Sequence, residues 1–307
     1  MPEALMPYDA LVVGGGPAGL SAALMLGRAR KQVLLCDAGP RRNEASREVH
    51  GFVTRDGTTP AEFRRIAVEQ LGVYPSVEVR RSPVTSIGGE RGSFMVRVGS
   101  EETRARRILL CPGMVDEMPE LAGFRELWGE RIFQCPYCHG WEVRGRRFGT
   151  LVDSAELLDF ALLLRGWTQS VVALPARSFE IPAQARARLA LAGVAVEARR
   201  LVRLSQDGGS LSLEFESGEP LAIDALFARP PQRQVPVVAS LGLALDGAGH
   251  LVVDPRTRET SIPGIYAAGD VVTPAQNAIA SAASGAHAAA MLNHELTTQL
   301  ALSGALD

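Results

Sequence analysis

Apolar and polar positions along the chain fall into short buried runs of strand length, set off by glycine-rich or polar turns from longer runs with helical spacing. Tyr8-Asp9-Ala10-Leu11-Val12-Val13 reads as a buried strand, and Gly14-Gly15-Gly16-Pro17-Ala18-Gly19 follows it at once, opening an Ala- and Leu-rich helix. Gln32-Val33-Leu34-Leu35-Cys36 and Arg107-Ile108-Leu109-Leu110 predict further strands. A helix over Ala155 to Leu164, the strand Ser170-Val171-Val172-Ala173-Leu174 and a small-residue helix from about Asn277 to Leu292 complete the pattern. Strands alternating with helices in this way predict an α/β chain.

The first turn has the form G-x-G-x-x-G between a strand and a helix, the setting in which that pattern carries meaning. Gly14 permits the tight turn, Gly16 lets the backbone approach a pyrophosphate, and Gly19 lets helix and strand pack closely, so that the phosphate meets the positive end of the helix. Asp37 ends the second strand, about 20 residues on, where an acid accepts ribose hydroxyls. This signature alone does not tell FAD from NAD. Far along the chain stands Ser261-Ile262-Pro263-Gly264-Ile265-Tyr266-Ala267-Ala268-Gly269-Asp270. With it the chain resembles the flavoproteins built of two dinucleotide domains, whose second FAD motif has this form. The resemblance implies that Asp270, after Gly269, bonds the ribityl chain, and that the backbone at Gln276, Asn277 and Ala278 approaches the flavin's pyrimidine edge, where a helix N-terminus stabilises negative charge.

Composition narrows the field. At 307 residues, 46% hydrophobic and 21% charged, the chain is long enough for two domains with cores of their own. A formal charge of -2 gives no basic field for nucleic acid. No apolar run approaches the ~20 residues that span a bilayer, and Met1 to Pro7 is too short and uncharged for a signal peptide, so a cytoplasmic protein is expected. Lys31 is the only lysine among 32 basic residues, which reads as codon bias.

Four cysteines remain to be placed. Cys36 and Cys111 each end an apolar strand and read as inert core thiols. Cys135-Pro136-Tyr137-Cys138 differs, because C-x-x-C holds two sulfurs within disulfide reach and lowers the pKa of one thiol. Half of a zinc site is the rival reading, but zinc needs four ligands and no second close Cys/His pair exists. His139 adjoins the pair and titrates near neutrality, so it would exchange protons with thiols; a solvated structural histidine is the alternative. Tyr137 and Trp141 line a substrate pocket or pack in the core. His287 and His294 read as surface residues of a helix.

Cys135-Pro136-Tyr137-Cys138-His139-Gly140-Trp141-Glu142 resembles the low-molecular-weight thioredoxin reductases over essentially the whole chain. It is more similar still to the branch related to the dithiol oxidases of gliotoxin and holomycin biosynthesis, in which His follows the second cysteine. Asp37-Ala38-Gly39-Pro40-Arg41-Arg42-Asn43, His50-Gly51-Phe52 and Arg55-Asp56-Gly57 resemble that branch too. The resemblance implies two Rossmann-like dinucleotide domains, the second inserted in the first: an FAD domain over residues 1–116 and 243–307, and a domain over 117–242 carrying the cysteines. Crossovers are expected at Pro112-Gly113-Met114 and Arg229-Pro230-Pro231-Gln232-Arg233. It further implies that Pro17, Ala18, Ala38, Arg42, Asn43 and His50 stand beside the FAD, that Cys138 faces the flavin, that Cys135 exchanges with substrate and that His139 shuttles the proton. Family members are homodimers, and the Ala-rich stretch Ala278 to Leu292 reads as offering apolar surface beyond what one chain buries.

One expected element is absent. After Arg144-Gly145-Arg146-Arg147 a thioredoxin reductase has a second glycine-rich turn for NADPH, followed by basic residues for its 2'-phosphate. Here the chain reads Phe148-Gly149-Thr150-Leu151-Val152-Asp153-Ser154-Ala155-Glu156-Leu157. Gly149 alone survives near the turn, Thr150, Val152 or Ser154 would crowd a pyrophosphate, and Asp153 would repel it. Arg177, after Pro175-Ala176, is the one basic residue at the second position. The favoured expectation is an FAD-dependent oxidase turning a small dithiol into a disulfide, with oxygen or another acceptor taking the electrons. The alternatives are a disulfide reductase, acting on a small disulfide or a thioredoxin-like protein, fed by ferredoxin, another protein donor or atypically bound NAD(P)H, and a non-enzymatic redox sensor that keeps FAD structurally.

Overall fold

The structure, a computed structural model, describes residues 8–39, 42–175 and 180–305. Pro40 and Arg41, part of the branch-like stretch, and Ala176 and Arg177, part of the lost phosphate site, lie outside the described residues. The chain forms two compact units, one of residues up to Glu44, Gly51–Asp116 and Gln232 onward, the other of Ala45–His50 and Glu117–Pro231.

The first unit begins with β1 (Tyr8–Val13), α1 (Pro17–Arg28), β2 (Val33–Cys36), α2 (Pro60–Leu71) and β3 (Val77–Arg80). The antiparallel strands β4 (Val84–Glu90), β5 (Ser93–Val98) and β6 (Glu101–Leu110) follow, then the short β7 (Val115–Asp116). The inserted unit contains α3 (Phe124–Leu127), β8 (Ile132–Phe133), α4 (Pro136–His139), β9 (Arg147–Val152), α5 (Ala155–Leu164), β10 (Ser170–Pro175) and α6 (Ala183–Leu191). It closes with β11 (Val194–Val196), β12 (Leu201–Asp207), β13 (Ser210–Phe215), β14 (Leu221–Ile223) and β15 (Ala225–Phe227). The chain then returns to the first unit with β16 (Gln232–Arg233), α7 (Pro236–Ala239), β17 (Ile265–Ala267) and α8 (Ala278–Leu302).

In the first unit β3, β2, β1 and β6 run parallel side by side, β17 joins β6 near its C-terminal end, and β5 and β4 extend the sheet antiparallel from the other half of β6. Both faces of β1 and β2 are covered, which is why their sequences are apolar runs rather than alternations. Leu11, Val13, Leu34 and Ile108 pack to one side, and Ala10, Val12, Val33 and Leu35 to the other, against Ala22, Ala23 and Leu26 of α1 and Ala288, Ala289 and Leu292 of α8. The two helices meet through small residues: a Cβ on Gly285 would fall 2.0 Å from the Ala18 carbonyl oxygen. Ala288, Ala289 and Leu292 are fully buried within the chain, while Ile279 on the same helix stays 42% exposed. The helix also runs ten residues beyond Leu292, to Leu302, where Leu296 and Leu300 continue its buried stripe. The wholly buried Arg107 ties β6 to α8 through two hydrogen bonds to Glu295, at 2.7 and 2.9 Å.

The inserted unit carries a parallel sheet of order β11-β10-β9-β15-β8 and a three-stranded antiparallel sheet of β12, β13 and β14. Its return boundary differs from the expected 242. Residues 232–242 belong to the first unit, because β16 pairs antiparallel with β7 and because Val237 and Val238 of α7 lie in that unit's core. A second departure is that Ala45–His50, an excursion between β2 and α2, compacts with the inserted unit. Val49 is buried there, and a Cβ on Gly129 would strike the Ala45 carbonyl. Gly149 is no remnant of a turn. It sits within β9, where a Cβ would press on Ile223, Leu174 and Leu226, while Thr150 and Val152 are fully buried strand residues. Of the residues expected to crowd a phosphate, Asp153 and Ser154 alone occupy the turn into α5.

Candidate flavin and dithiol sites

The first unit builds a nucleotide cradle where β1 meets α1. Gly14 has a φ of 109°, and a Cβ there would fall 2.2 Å from the Cys111 carbonyl oxygen, so only glycine fits. Gly19 is equally constrained, its absent Cβ lying 1.8 Å from the Gly14 oxygen. Gly16, the N-cap of α1, has nothing within 4 Å of its Cβ position, leaving the backbone at the helix N-terminus open to an anion. Pro17 takes the first helical turn, where its missing N–H costs nothing. Beside this turn Asp37 is buried and held by Arg64, whose Nε and Nη2 donate to Oδ2 at 2.9 and 2.6 Å, and it accepts the Gly39 N–H at 3.1 Å. Arg64 fixes the carboxylate that the sequence assigns to the ribose. Ala38 and Asn43 are exposed.

A second polar cluster gathers residues from both ends of the chain. Arg42 forks onto Asp116 through Nε and Nη2, at 2.8 and 2.9 Å, and its Nη1 donates to Gln276 at 2.5 Å and to Asp270 at 3.3 Å. Ser281 donates to the other Asp270 oxygen at 2.7 Å, and Gln232 bonds both Asp116 and Gln276. Gly269, with a φ of 82°, turns the chain from β17 into Asp270. Asn277 caps α8 by accepting the Ala280 N–H at 2.8 Å, so that the helix N-terminus begins at Ala278 beside this cluster. Asp116, Gln232, Ser281 and Arg64 carry no motif, and the sequence reading missed all four.

In the inserted unit Cys135 is the N-cap of α4, and its sulfur lies 2.7 Å from that of Cys138. The Cys135 thiol is brought down to about 7, first by the Cys138 S–H bond and then by the Cys138 and Tyr137 backbone N–H groups at the helix start, with the Arg229 charge adding to them. Alkylation of the reduced protein at Cys135 is therefore expected to accelerate as pH rises through about 7, the thiol being protonated below and thiolate above, and Cys138→Ala should move that midpoint upward. Rates against pH with iodoacetamide measure it, and a midpoint near the ordinary cysteine value in both proteins would contradict it. Burial pushes Cys36 up to about 12 and raises Cys111 further, which leaves both as inert core thiols.

The His139 ring stacks on Phe133, with centroids 4.6 Å apart, and its Nε2 stands 2.9 Å from the Ser46 hydroxyl. Burial lowers its pKa, against an opposing pull from Glu142. His50, expected beside the flavin, belongs to this inserted unit, its Nε2 3.2 Å from Glu48 and 3.7 Å from Glu142. Tyr137 and Trp141 are 71% and 66% exposed, so neither is a core residue, and Arg144 lies over the Trp141 ring. His287 and His294 are exposed on α8. Among the described residues no group of His, Cys, Asp and Glu could hold a metal ion, and no helix is long and apolar enough to cross a membrane.

The sequence matches the pyridine nucleotide-disulphide oxidoreductase family over residues 8–152 and 160–289. The chain belongs to that family. The match breaks at the turn after β9, where a second nucleotide fingerprint would lie. A probable thioredoxin reductase of Arthroderma benhamiae is 38% identical over 54% of this chain, which spans 43% of that relative's length. Thioredoxin reductase tcpT of Claviceps purpurea is 30% identical over 95% of both chains. Among solved structures, an oxidoreductase from Agrobacterium tumefaciens superposes with a TM-score of 0.90 at 36% identity, over 95% of this chain and 99% of that one. This family member is thus a thioredoxin reductase-like flavoprotein, an FAD-dependent oxidoreductase acting on sulfur groups, and the Gly16 opening and the Asp270 cluster fit that cofactor.

Proposed function

We propose that the enzyme oxidises a small dithiol to a disulfide through Cys135 and Cys138. The observation that carries this reading is the pairing of a complete dinucleotide cradle at Gly14 to Gly19 with a β9-to-α5 turn of Asp153 and Ser154 in place of glycines. Electrons then enter from the thiol side. Cys135, with its thiol brought down to about 7, is a good leaving group in exchange, which suits it to the substrate side. A substrate thiolate attacks the Cys135 sulfur of the enzyme disulfide and the Cys135–Cys138 bond breaks, leaving Cys138 as thiolate. The second substrate thiol gives its proton to the Cys138 thiolate and attacks the mixed disulfide, releasing cyclised or paired product and the Cys135 thiolate. His139, kept neutral at pH 7 by burial, accepts the substrate's proton. FAD, which the Gly14 to Gly19 turn and the Asp270 cluster would hold, would supply a two-electron acceptor for the reduced Cys135 and Cys138 pair, with oxygen or another acceptor beyond it.

Anaerobic mixing of the oxidised enzyme with small dithiols tests this: the flavin band should bleach and return on admission of oxygen, with a product disulfide formed. No bleaching by any dithiol, together with ready reduction of a disulfide or of thioredoxin by enzyme photoreduced without NADPH, would place it among the reductases. We also propose a cytoplasmic homodimer, on family resemblance. Light scattering at micromolar concentration measures the mass, and a monomer would refute the dimer.

A further inference from the structure

We propose that Arg229 is a specificity-determining residue that receives a carboxylate of the substrate, so that the dithiol oxidised here carries an acid group within a few bonds of the thiol that attacks Cys135. The inference rests on the proposed dithiol oxidation and names the chemical class of its substrate.

Sheet register brings the two residues together. β8 and β15 run parallel, with Ile132 opposite Leu226 and Phe133 opposite Phe227, and the ladder goes one step further through the Ala228 N–H, which donates to the Phe133 carbonyl at 2.9 Å. Two residues beyond that last pair stand Cys135 and Arg229. Cys135 has extended backbone, with φ -119° and ψ 117°, and Arg229 precedes a proline, which favours extended backbone too, so alternation returns both to the face that Phe133 and Phe227 share. Neighbouring strands lie about 4.8 Å apart, which puts a molecule joined to Cys135 within reach of Arg229. Both residues leave the C-terminal edge of a parallel sheet, where α/β units present side chains to ligands.

The guanidinium is held in place and left unclaimed. It lies over the ring of the buried Phe160, 4.2 Å from the centroid, and Phe160 meets Phe227 edge-on, so an aromatic floor within the core of the inserted unit carries it. Among the described residues no carboxylate pairs with Arg229 and no hydrogen bond occupies it. The residue is exposed, and its charge acts on the Cys135 sulfur: Arg229 lowers the thiol's pKa, and Cys135 pulls the arginine's up against the burial that lowers it. A planar guanidinium offers paired N–H donors, which a carboxylate can accept through two oxygens and a single sulfur cannot. Such binding leaves the carboxylate ionised and moves no electron, so the exchange at Cys135 proceeds as before.

The test alkylates the reduced, FAD-loaded enzyme with iodoacetate and with iodoacetamide, reagents that differ chiefly in charge, and follows the label on Cys135 by peptide mass. Dividing the two rates cancels the thiolate fraction, so the ratio reads only the charge that the reagent meets. Arg229→Gln should lower the iodoacetate-to-iodoacetamide ratio about 5- to 20-fold, the effect of one charge-assisted contact reached from solvent, and Arg229→Lys should restore part of it. Anaerobic flavin reduction by 3-mercapto-2-(mercaptomethyl)propanoate and by its primary amide carries the test to substrate. Wild type should favour the acid by a similar factor, and Arg229→Gln should take both alike. An unchanged alkylation ratio in Arg229→Gln, or an equal loss with both dithiols, overturns the proposal, the second outcome leaving Arg229 as a stabiliser of the Cys135 thiolate alone. Failure of both dithiols to bleach the wild-type flavin would instead count against the oxidase reading beneath it, while the alkylation ratio still decides whether Arg229 receives an anion beside Cys135.

Discussion

Replacing Cys138 with serine is expected to abolish flavin reduction by dithiols, while Cys135→Ser leaves Cys138 as a thiolate and produces a long-wavelength charge-transfer band. The asymmetry follows from the family resemblance, which implies that Cys138 faces the flavin, and from the helix that lowers Cys135. The Cys135 sulfur receives the Cys138 S–H and the first backbone N–H groups of α4, which bring its pKa to about 7, so near neutrality it gives thiolate far more readily than an ordinary cysteine. Serine at 138 still offers a hydroxyl donor, so Cys135 remains reactive toward substrate. With no resolving thiol, however, an added mixed disulfide at Cys135 has no partner sulfur within the enzyme, and exchange stops there. Mass spectrometry should find Cys138→Ser enzyme carrying one substrate equivalent on Cys135 when offered the monothiol-activated disulfide of the substrate, and stopped-flow absorbance should find its flavin unreduced by dithiol. Full flavin reduction in both variants would end the assignment of Cys135 and Cys138 as the redox pair.

Much of this was legible in the chain because covalent geometry leaves few alternatives. Gly14 must turn the backbone against the Cys111 carbonyl and Gly19 must let α1 reach the Gly14 oxygen, so glycines at this spacing between a buried strand and a helix have one fold to serve. The cysteine pair was equally legible, since a two-residue spacer at a helix start brings two sulfurs together whatever surrounds them. What stayed hidden depends on long-range packing. Asp116 and Gln232 join Asp270 only because β7 and β16 pair across more than a hundred residues of chain, and no local pattern marks either residue. Ser46 lies in a stretch without strand or helical periodicity, and its place beside His139 comes from the fit of its loop on the inserted unit. Gly149 was misread for the converse reason. It looked like half of a motif, but the strand continues through it, and tight packing by Leu174, Ile223 and Leu226 accounts for the missing side chain.

NADPH and NADH are expected neither to reduce the flavin at a useful rate nor to bind more tightly than about 0.1 mM. A pyridine dinucleotide needs its pyrophosphate close against bare backbone at the strand-to-helix turn, and here that turn is Asp153 and Ser154, with Ser154 as the N-cap of α5. A carboxylate at the turn repels the pyrophosphate where a glycine would have let N–H groups reach it. The fully buried Thr150 and Val152 take no part in this exclusion, so it falls to two residues, and that makes it testable by repair. Loss of two charge-assisted hydrogen bonds, at roughly 1.5 to 3 kcal/mol each, weakens binding by about 10² to 10⁴-fold, which takes a micromolar cofactor to between about 0.1 and 10 mM. Asp153→Gly with Ser154→Gly should recover part of that binding, seen as tighter NADPH affinity by calorimetry. Stopped-flow mixing of wild-type enzyme with millimolar NADPH under anaerobic conditions decides the larger question. Rapid bleaching of the flavin band would mean that the turn binds the cofactor in spite of its carboxylate, and the direction of catalysis would revert to disulfide reduction.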